Sequence, residues 1–492
     1  MVKNLVGIQK DLFMMKMLKQ KDIRELGPNF LMYLRNALKH EKFVEIDGKV
    51  VLNSQMPPFG TEAYNRFLSL AEVVKNGKTA PISTHISVTQ RCNLSCWHCS
   101  NWHRDETEDI PLDLLKDTIS RLQDMGNCLI GITGGEPTLR DDLEEIIRAV
   151  GPRSSTLLFT NGERLDAERA RKLKEAGLFS VSISLDHHLP EVHDQRRGCE
   201  GSFDKAVAAV KACLDAGIYT LIGTVPTKEM IQADEMPAFY DFCKSLGVHE
   251  VRVLAPIPTG RIVGQKECRW CGSEEEQTMY DYHIKLNKIK DYPRISVYSF
   301  LEKEDLLGCT AGTFHIFVET DGTVTPCDMI PLNFGNIKEE GIEQAYSDMV
   351  DAFRAPRYSC FVRAAVGLFE KGFEEENKLP FSKERTMMII NKMKNRRLPQ
   401  FFKKLGMPEP DIDGKAPKAP SEQKLDMRGI ECPEPVFRTQ EKLWEMERGL
   451  LEVLVDDEKA VHNVTETAKR EGWNVEIENR DNNESLLKIS KE

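Results

Sequence analysis

From residue 84 onward, short apolar and β-branched runs alternate with longer amphipathic stretches, as expected of repeated strand–helix units. The runs that predict strands are residues 85–89, 128–133, 156–160, 179–185, 219–225 and 250–254. The stretches that predict helices have apolar residues every three or four positions, and they include residues 111–125, 166–176, 203–216 and 234–246. Six consecutive units predict a parallel sheet with right-handed crossovers. Because a closed barrel has eight units and this chain has six, we expect an open, partial (βα)6 barrel, a fold of the α/β class.

The segment before this repeat, residues 1–79, predicts a helical and hairpin extension. Residues 30–38 are apolar at helical spacing, and the runs FVEI and KVVL flank Asp47-Gly48, a strong turn signal for a hairpin. The extension carries no recognisable chemistry. We therefore interpret it as a structural or substrate-covering appendage to a core domain of residues 80–290.

Three units are predicted after the core domain. Residues 291–365 predict a small α+β region with a second hairpin at Asp321-Gly322. Residues 366–420 are rich in Lys and Pro and predict a helical and linker segment. Residues 421–492 predict a compact two-layer domain with a β–α–β–α–β–β pattern.

Composition narrows the possible partners and location. The chain has 492 residues with 67 Lys and Arg against 78 Asp and Glu, a net charge of −11, which disfavours binding nucleic acid through bulk charge. It has no apolar run of about 18 residues and no secretory leader pattern, so we expect a cytoplasmic protein without a membrane span. Thirteen cysteines in such a chain favour metal ligands or reactive thiols over disulfides.

The loop after the first predicted strand holds three closely spaced cysteines, Cys92, Cys96 and Cys99, in a C-x3-C-x2-C arrangement. Three thiolates at this spacing are suited to hold three irons of a [4Fe–4S] cluster, because soft sulfur ligands favour iron–sulfur chemistry. A tightly spaced fourth cysteine is missing, so one iron would be open to an exogenous ligand. The alternative is a structural zinc site, although zinc sites usually close four positions.

A glycine pair and a glutamate, in the stretch Gly134-Gly135-Glu136-Pro137, follow the second predicted strand. Glycines let the backbone approach a ligand closely, and Glu136 would accept a hydrogen bond from an ammonium group. By itself the stretch would equally suit a turn before a helix. Paired with the cysteine loop one unit upstream, it makes residues 84–260 resemble the radical S-adenosylmethionine (SAM) superfamily.

The resemblance implies a specific cofactor chemistry. The open iron would bind the amino and carboxylate groups of SAM, and the stretch of residues 134–137 would hold the methionine amino group. An electron from the reduced cluster would cleave the C5′–S bond and give methionine and a 5′-deoxyadenosyl radical, which abstracts a substrate hydrogen. Such an enzyme needs an electron donor such as ferredoxin or flavodoxin.

Polar residues at later strand ends are candidates for the same site, because ligands gather at the carboxyl ends of parallel strands. These candidates are Thr160, Asn161, Ser184 and Asp186, with Ser182, Thr224 and Ala255 nearby. The stretch after Asp186 resembles the equivalent region of radical SAM enzymes with C-terminal cluster domains, in which an arginine like Arg197 contacts the SAM carboxylate. Arg196 is its adjacent rival. Asp186 would either reach substrate or ribose or cap a helix.

A second set of cysteines lies beyond the repeat. Cys309 and Cys327 flank the second predicted hairpin and resemble the start of a SPASM/twitch extension, which binds auxiliary [4Fe–4S] clusters. The later cysteine run of a complete SPASM domain is absent, and only Cys360 follows before the linker. We therefore expect one auxiliary cluster held by these three cysteines. Its fourth ligand would be Cys268 or Cys271 of an upstream C-x2-C pair, a non-cysteine group or the substrate.

The last domain contains Cys432 in the sequence ECPEP. Pro433 suits the first turn of a helix, which would place Cys432 at a helix N-terminus where the dipole lowers a thiol pKa. The whole domain resembles the TusA/SirA-like sulfur carriers, whose CPxP cysteine carries a persulfide. This resemblance implies a cysteine desulfurase or other sulfur donor as a partner; the alternative is a binding module that has kept its cysteine.

These features favour a radical SAM enzyme that modifies an unactivated C–H bond, with sulfur insertion as a special case. SPASM/twitch relatives modify ribosomally made peptides, tetrapyrroles or other small metabolites, and we favour a peptide or protein substrate. The alternative of another class is a non-catalytic iron–sulfur or sulfur-relay protein.

Overall fold

The computed structural model describes residues 2–102, 108–265, 274–393, 397–410, 421–430, 432, 434–446, 448–480 and 484–491. The N-terminal extension contains β1 (Val2–Leu5), α1 (Ile8–Leu18), α2 (Lys21–Arg24), α3 (Pro28–Ala37), β2 (Phe43–Ile46), β3 (Lys49–Val51), α4 (Glu62–Ser69) and α5 (Ala71–Lys75). The core contains β4 (Ser83–Ser87), α6 (Leu112–Asp124), β5 (Leu129–Thr133), α7 (Leu143–Val150), β6 (Ser155–Thr160), α8 (Ala167–Ala176), β7 (Ser180–Ser184), α9 (Pro190–Arg197), α10 (Ser202–Asp215), β8 (Tyr219–Thr224), α11 (Lys228–Gln232), α12 (Met236–Leu246), β9 (Glu250–Val253), α13 (Glu274–Leu286), β10 (Arg294–Val297) and α14 (Tyr298–Leu301).

The remaining elements follow the core along the chain. They are β11 (His315–Val318), β12 (Val324–Thr325), α15 (Ile342–Phe353), α16 (Phe361–Glu376), α17 (Lys383–Lys392), α18 (Gln400–Leu405), β13 (Ser421–Asp426), α19 (Glu434–Met446), β14 (Gly449–Val455), α20 (Glu458–Arg470), β15 (Asn474–Asn479) and β16 (Ser485–Lys491). Within the described ranges, no helix is both long and apolar enough to cross a membrane.

One large sheet organises the core, with the strand order β10-β9-β8-β7-β6-β5-β4-β11-β12. The strands β4 to β9 are the six predicted ones, and all of them pair in parallel, so the partial barrel is confirmed. The sheet also has three strands that the six-unit count did not assign to it. Parallel β10 extends one edge, and the hairpin β11–β12, predicted at Asp321-Gly322, joins the other edge through β4.

Side chains alternate between the two faces of this sheet. Ile86, Ile130 and Val181 are fully buried in the main hydrophobic core, together with apolar residues of the surrounding helices. The opposite face carries polar and aromatic residues such as His85 and Phe159, whose rings are 5.0 Å apart. The interior of the partial barrel is therefore suited to hold a ligand, while its outer face supplies stability.

The N-terminal hairpin covers the amino end of this sheet. Strands β2 and β3 pair antiparallel as predicted, and their side chains Val44 and Ile46 pack against Leu157, Tyr219 and Leu221. These three residues lie in β6 and β8 on the interior face. The extension is thus a structural closure of the amino end, which leaves the carboxyl edge for ligands.

A buried ionic cluster anchors this closure. The Glu41 carboxylate binds the Arg294 guanidinium and lies 3.0 Å from His283 Nε2, and both partners are completely buried. Burial alone would raise the pKa of Glu41, but the positive charges of Arg294 and His283 outweigh it and lower the pKa to about 2. The carboxylate therefore favours the folded state at neutral pH.

We expect Glu41→Gln to lower the free energy of unfolding by about 3 kcal/mol at pH 7, because a pKa lowered from 4.5 to about 2 stabilises the folded protein above pH 4.5. The difference from wild type should shrink as the pH falls from 4.5 towards 2, where Glu41 itself is protonated. Denaturant titrations at pH 7 and pH 4 would measure it. Glu45→Gln, in the same hairpin, is the control, and an equal loss there would contradict a special role for Glu41.

The helices after the auxiliary region pack on the rest of the fold. Phe361 and Phe369 of α16 are buried in the main core, and Leu398 and Phe402 bury against the N-terminal extension. Residues 366–393 and 397–410 therefore do more than connect domains. Residues 411–420 of the predicted linker lie outside the described residues.

The C-terminal unit has the predicted β–α–β–α–β–β order, and its sheet order is β13-β14-β16-β15. It has its own hydrophobic core, which includes Leu451, Val464 and Leu487. Helix α19 lies against α16. Across this boundary Tyr358 donates a hydrogen bond to Glu471, so the C-terminal domain is docked on the helices that follow the auxiliary cysteines.

Candidate active site

The cysteine loop leaves the carboxyl end of β4 and stays paired with the chain that follows β5. Gly135 N donates to Thr89 O at 2.6 Å, and Glu136 N donates to Arg91 O at 2.8 Å. The two sequence signals, the cysteine loop and the GGEP stretch, are therefore physically joined at one edge of the sheet. Cys92, Cys96 and Cys99 follow at the end of this paired segment.

The two glycines are required by this pairing. A Cβ at Gly134 would lie 2.3 Å from Thr89 O, and a Cβ at Gly135 would lie 2.3 Å from Arg91 O. Both contacts are with backbone atoms that cannot move independently. The glycine pair thus serves the close approach of two backbone segments, which in turn fixes where the cysteine loop begins.

Glu136 is a hub between the ends of β5 and β6. Its Oε1 accepts hydrogen bonds from Thr138 N at 3.0 Å, Thr138 Oγ1 at 2.7 Å and Thr160 Oγ1 at 2.6 Å, and its Oε2 accepts one from Asn161 N at 2.7 Å. Burial raises the pKa of Glu136, against the effect of these donors. Pro137, also buried, opens the short 3-10 turn of residues 137–139. The described contacts make Glu136 a residue that positions the strand ends.

Asn161 links the hub back to the cysteine loop. Its Nδ2 donates to Asn93 Oδ1 at 2.9 Å, and Asn93 Nδ2 donates to Glu163 Oε2 at 2.6 Å. Glu163 is itself paired with Lys205 Nζ at 2.8 Å. The chain between Cys92 and Cys96 is therefore tied to the loop after β6 by side chains. Ser184, at the end of β7, is partly exposed on the same edge.

Arg197 and Asp186 form a buried ion pair beside the cysteines. Arg197 Nε lies 2.8 Å from Asp186 Oδ2, Arg197 Nη2 donates to Asp186 Oδ1 at 2.9 Å, and Arg197 Nη1 is 3.6 Å from Cys96 Sγ. Burial would raise the pKa of Asp186, but the charge of Arg197 lowers it overall. Asp186 also accepts from Val225 N at 3.2 Å, so its carboxylate does not cap α9. Arg196 instead donates to Asp186 O at 3.0 Å.

Helix α9 and the turn after β9 hold the cysteine loop from two sides. Ser95 N donates to Arg197 O at 3.0 Å, and Arg261 N donates to Cys99 O at 3.0 Å. A Cβ at Gly260 would lie 2.2 Å from Cys99 O. The backbone of the loop is thus held on both sides, at Ser95 and at Cys99.

The donor set and its surroundings fit an iron–sulfur cluster with SAM. Desolvation raises the pKa of Cys92 to about 12, and the negative charges of Cys96, Glu136 and Cys99 add to the effect, so the thiols repel one another's charge until a cation binds. Several buried polar atoms along the carboxyl edge have no hydrogen-bond partner among the described residues. They are Trp97 Nε1, His98 Nδ1, Thr224 Oγ1 and Thr259 Oγ1.

The auxiliary cysteines converge around Cys309. Cys309 pairs with Arg357 through two backbone hydrogen bonds, of 2.7 and 2.9 Å, which bring the start of α16 and its N-cap Cys360 alongside. Burial raises the pKa of Cys309 to about 11, and it also raises the pKa values of Cys327 and Cys360, to which the charge of Cys309 contributes. Cys309 is thus within electrostatic reach of both other thiols. Cys268 and Cys271 lie outside the described residues.

Glu302, a partly buried acid near these thiols, was not singled out by the sequence. Burial raises the pKa of Glu302 to about 7, and its charge contributes to the raised pKa values of Cys309 and Cys360. Asp328, directly after Cys327, is a second carboxylate, with Oδ1 3.2 Å from Cys327 Sγ. The sequence could have indicated Asp328, because it directly follows Cys327. It contains no comparable motif around Glu302.

The barrel interior is lined by polar and aromatic side chains that belong to no recognisable sequence motif. The Arg252 guanidinium lies 5.4 Å from the Phe159 ring centroid and 4.8 Å from that of Tyr298. The His85 and His315 rings are 4.7 Å apart. Because burial lowers the pKa of His85 to about 4, its imidazole is neutral at physiological pH.

Cys432 lies in the docked C-terminal domain, two residues before α19. Asn463 Nδ2 is 3.2 Å from its Sγ, and Lys459 and Lys228 exert a positive field on it. The expected lowering of its pKa is wrong: burial is the largest effect, and it raises the pKa of Cys432. Lys228 begins α11, which follows β8 at the carboxyl edge of the large sheet, so Cys432 lies within electrostatic reach of that edge.

Comparison with known proteins matches three segments of the chain. Residues 86–239 match the radical SAM superfamily model, residues 309–363 the SPASM iron–sulfur cluster-binding domain, and residues 423–491 the sulfurtransferase TusA. The last two matches include the cysteines Cys309, Cys327, Cys360 and Cys432.

Relatives match up to about two thirds of the chain. An AdoMet-dependent heme synthase of Oleidesulfovibrio alaskensis is 28% identical over 328 residues, which is 60% of this chain and 83% of the relative. The mycofactocin maturase MftC of Mycolicibacterium smegmatis is 33% identical over 219 residues, 44% of this chain and 55% of the relative. Streptococcus suis SuiB, solved with its precursor peptide SuiA, superposes with a TM-score of 0.50 and 16% identity over 65% of this chain and 78% of SuiB, a likeness of fold. This chain therefore carries a radical SAM domain at residues 86–239, followed by SPASM and TusA domains.

Proposed function

We propose that this enzyme binds SAM at a [4Fe–4S] cluster held by Cys92, Cys96 and Cys99 and uses it to abstract a hydrogen atom from a small molecule inside the barrel. When bound, the reduced cluster and SAM supply a 5′-deoxyadenosyl radical by cleavage of the C5′–S bond. The observation that carries the proposal is the meeting of the cysteine loop, the Glu136 hub and Arg197 at one carboxyl edge.

The chain's own residues orient and shield this chemistry. Glu136 fixes the ends of β5 and β6, and Arg197 brings a positive charge next to Cys96, where a SAM carboxylate would be stabilised. The N-terminal hairpin closes the opposite end with apolar side chains, which keeps water from that side. The reacting radical would thus be confined to the barrel interior.

The substrate class follows from the interior and the relatives. Arg252 offers a guanidinium beside the aromatic rings of Phe159 and Tyr298, an arrangement suited to a flat molecule with carboxylate groups. A relative that matches 60% of the chain is named a heme synthase. We therefore propose a tetrapyrrole-like carboxylate substrate in preference to the peptide favoured by sequence alone.

The test is SAM cleavage by the anaerobically reconstituted protein with a chemical reductant. We expect 5′-deoxyadenosine to form, and a tetrapyrrole carboxylate to accelerate it. Absence of this product with clusters loaded would refute the proposed activity. Cleavage that responds to peptides and not to the tetrapyrrole would refute the substrate class alone.

We further propose an auxiliary [4Fe–4S] cluster at Cys309, Cys327 and Cys360. Their convergence and the match of residues 309–363 to an iron–sulfur cluster-binding domain support it. Glu302 is a candidate non-cysteine fourth ligand, since its charge acts on Cys309 and Cys360. Because the cluster must be reduced before it can cleave SAM, an electron donor such as ferredoxin or flavodoxin is part of the proposal.

We also propose that Cys432 supplies sulfur to this site. Support comes from the TusA match and from the electrostatic effect on Cys432 of Lys228, which lies at the carboxyl edge. A desulfurase would charge the thiol as a persulfide, and Lys228 and Lys459 would stabilise its negative charge, since a persulfide ionises more readily than a thiol.

We expect Cys432→Ser to abolish sulfur loading and to leave 5′-deoxyadenosine formation unchanged, because Cys432 lies outside the cysteine loop. Labelled sulfur from a desulfurase, followed by mass spectrometry of the intact protein, would measure the loading. Cys199→Ser is the matched control and should load as wild type does. Loading that survives in Cys432→Ser would overturn the sulfur-carrier role without affecting the radical SAM role.

A further inference from the structure

Three ligand-type side chains in the barrel interior lie outside the two sets of cysteines, although one of them, Asp328, is next to Cys327. His85 on β4 and His315 on β11 project from neighbouring parallel strands, and Asp328 follows β12. One ligand atom from each of them lies within 4.8 Å of the others. The three residues are far apart in the chain, and only the pairing of β11 with β4 brings them together.

The distances among them fit ligands of a common ion better than hydrogen bonds. His85 Nδ1 is 3.6 Å from Asp328 Oδ2, and His315 Nε2 is 3.7 Å from Asp328 Oδ1. An N–H···O hydrogen bond spans about 2.7–3.2 Å. Two ligands on one tetrahedral ion, with bonds of about 2.1 Å, lie about 3.4 Å apart.

The orientation of each imidazole also suits an ion. His315 Nδ1 is 3.1 Å from Ser83 Oγ, a contact that directs Nε2 and its lone pair towards Asp328. His85 is 2% exposed, yet neither of its ring nitrogens has a hydrogen-bond partner within the described part of the chain. A buried imidazole without a partner is costly, and a bound cation would remove that cost.

We propose that His85, His315 and Asp328 bind a divalent transition-metal ion inside the barrel. Two imidazoles and one carboxylate form a set that zinc or ferrous iron accepts, and three protein ligands leave coordination positions open. The positive charge of Arg252 acts on His85, so an anionic group of the substrate would be attracted by both the ion and Arg252. The ion would therefore anchor a carboxylate of the substrate between the two cysteine sites.

The position of Asp328 next to Cys327 suggests an alternative role for this carboxylate. Asp328 Oδ1 is 3.2 Å from Cys327 Sγ, so Asp328 would otherwise be a ligand of the auxiliary cluster. The two assignments differ in which metal is lost when Asp328 changes. Cluster iron and the proposed ion must accordingly be counted separately.

The experiment is zinc binding by full-length protein whose clusters have been reconstituted, so that cluster thiolates are occupied. After equilibration with Zn²⁺ and gel filtration, iron and zinc are measured in the same sample. We expect wild type to retain about one zinc per chain that His315→Gln, His85→Gln and Asp328→Asn each lose at unchanged iron content. His462→Gln changes an exposed histidine of α20 and is the matched control, expected to bind as wild type does.

Three results would overturn the proposal. Wild type that retains no zinc would exclude the site, and so would zinc that persists in all three variants. Loss of iron instead of zinc in Asp328→Asn would assign Asp328 to the auxiliary cluster and also reject the ion. The readout does not depend on SAM cleavage, so it stands apart from the test of the proposed activity.

Discussion

Simultaneous replacement of Cys92, Cys96 and Cys99 by alanine should reduce 5′-deoxyadenosine formation to background while part of the iron remains bound. The loop is held by backbone contacts from Arg197 and Arg261, so replacing the three side chains removes the thiols and leaves the fold. The iron that remains would belong to Cys309, Cys327 and Cys360. Product analysis with iron and sulfide counting and EPR of the reduced protein would measure both effects.

The control for this variant is Cys213→Ala, a buried thiol of α10 within the hydrophobic core. It should retain SAM cleavage and the wild-type iron content. If the triple variant still cleaves SAM, the site lies elsewhere. If it loses all its iron at a stable fold, the auxiliary cluster is refuted, while the main site is unaffected by that result.

Arg197→Ala should both destabilise the protein and weaken SAM binding. The substitution leaves the Asp186 carboxylate, which is 0% exposed, without its cationic partner, and breaking such a buried pair costs about 3–5 kcal/mol. It also removes the positive charge beside Cys96, where loss of one charge-assisted contact would raise the Kd for SAM about tenfold or more. Thermal unfolding and equilibrium dialysis with SAM would measure the two effects.

The double variant Arg197→Ala/Asp186→Asn separates the two effects. Without a buried unpaired charge, it should regain much of the lost stability, because the cost lies chiefly in the isolated carboxylate. SAM binding should stay weak, since the positive charge is still missing. Recovery of SAM affinity together with stability would contradict direct action of Arg197 on SAM and leave it a structural role.

The barrel is closed at its amino end, and the candidate functional residues lie at its carboxyl end. The N-terminal hairpin and the Glu41–Arg294 pair seal the amino end, while the cysteine loop, the auxiliary cysteines and the docked Cys432 are arranged around the carboxyl end and the interior. The arrangement explains how one substrate position would be reached by a radical, an auxiliary cluster and a sulfur donor.

The sequence by itself predicted the repeated strand–helix units from their periodicity, and it carried the cysteine loop and the GGEP stretch as motifs of a few consecutive residues. The sulfur-carrier-like domain followed from its resemblance to a known family. The sequence also predicted both hairpins from Asp47-Gly48 and Asp321-Gly322, and Asp47, Gly48 and Gly322 adopt the positive φ that such turns need. It did not assign β10 and β11 to the large sheet, because a short strand has no local mark of its partner.

Only the tertiary structure decided what depends on contacts between distant segments. It made Glu136 a hub for β5 and β6, joined His85 to His315 and Asp328, and placed the Glu41 carboxylate against Arg294. It also reversed the expected pKa shift of Cys432, because the desolvation of the thiol outweighs the hydrogen bond from Asn463 and the positive charges of Lys228 and Lys459. Periodicity reports which face of an element is apolar, whereas burial and charge pairing depend on which elements meet, and that information exists only in the folded chain.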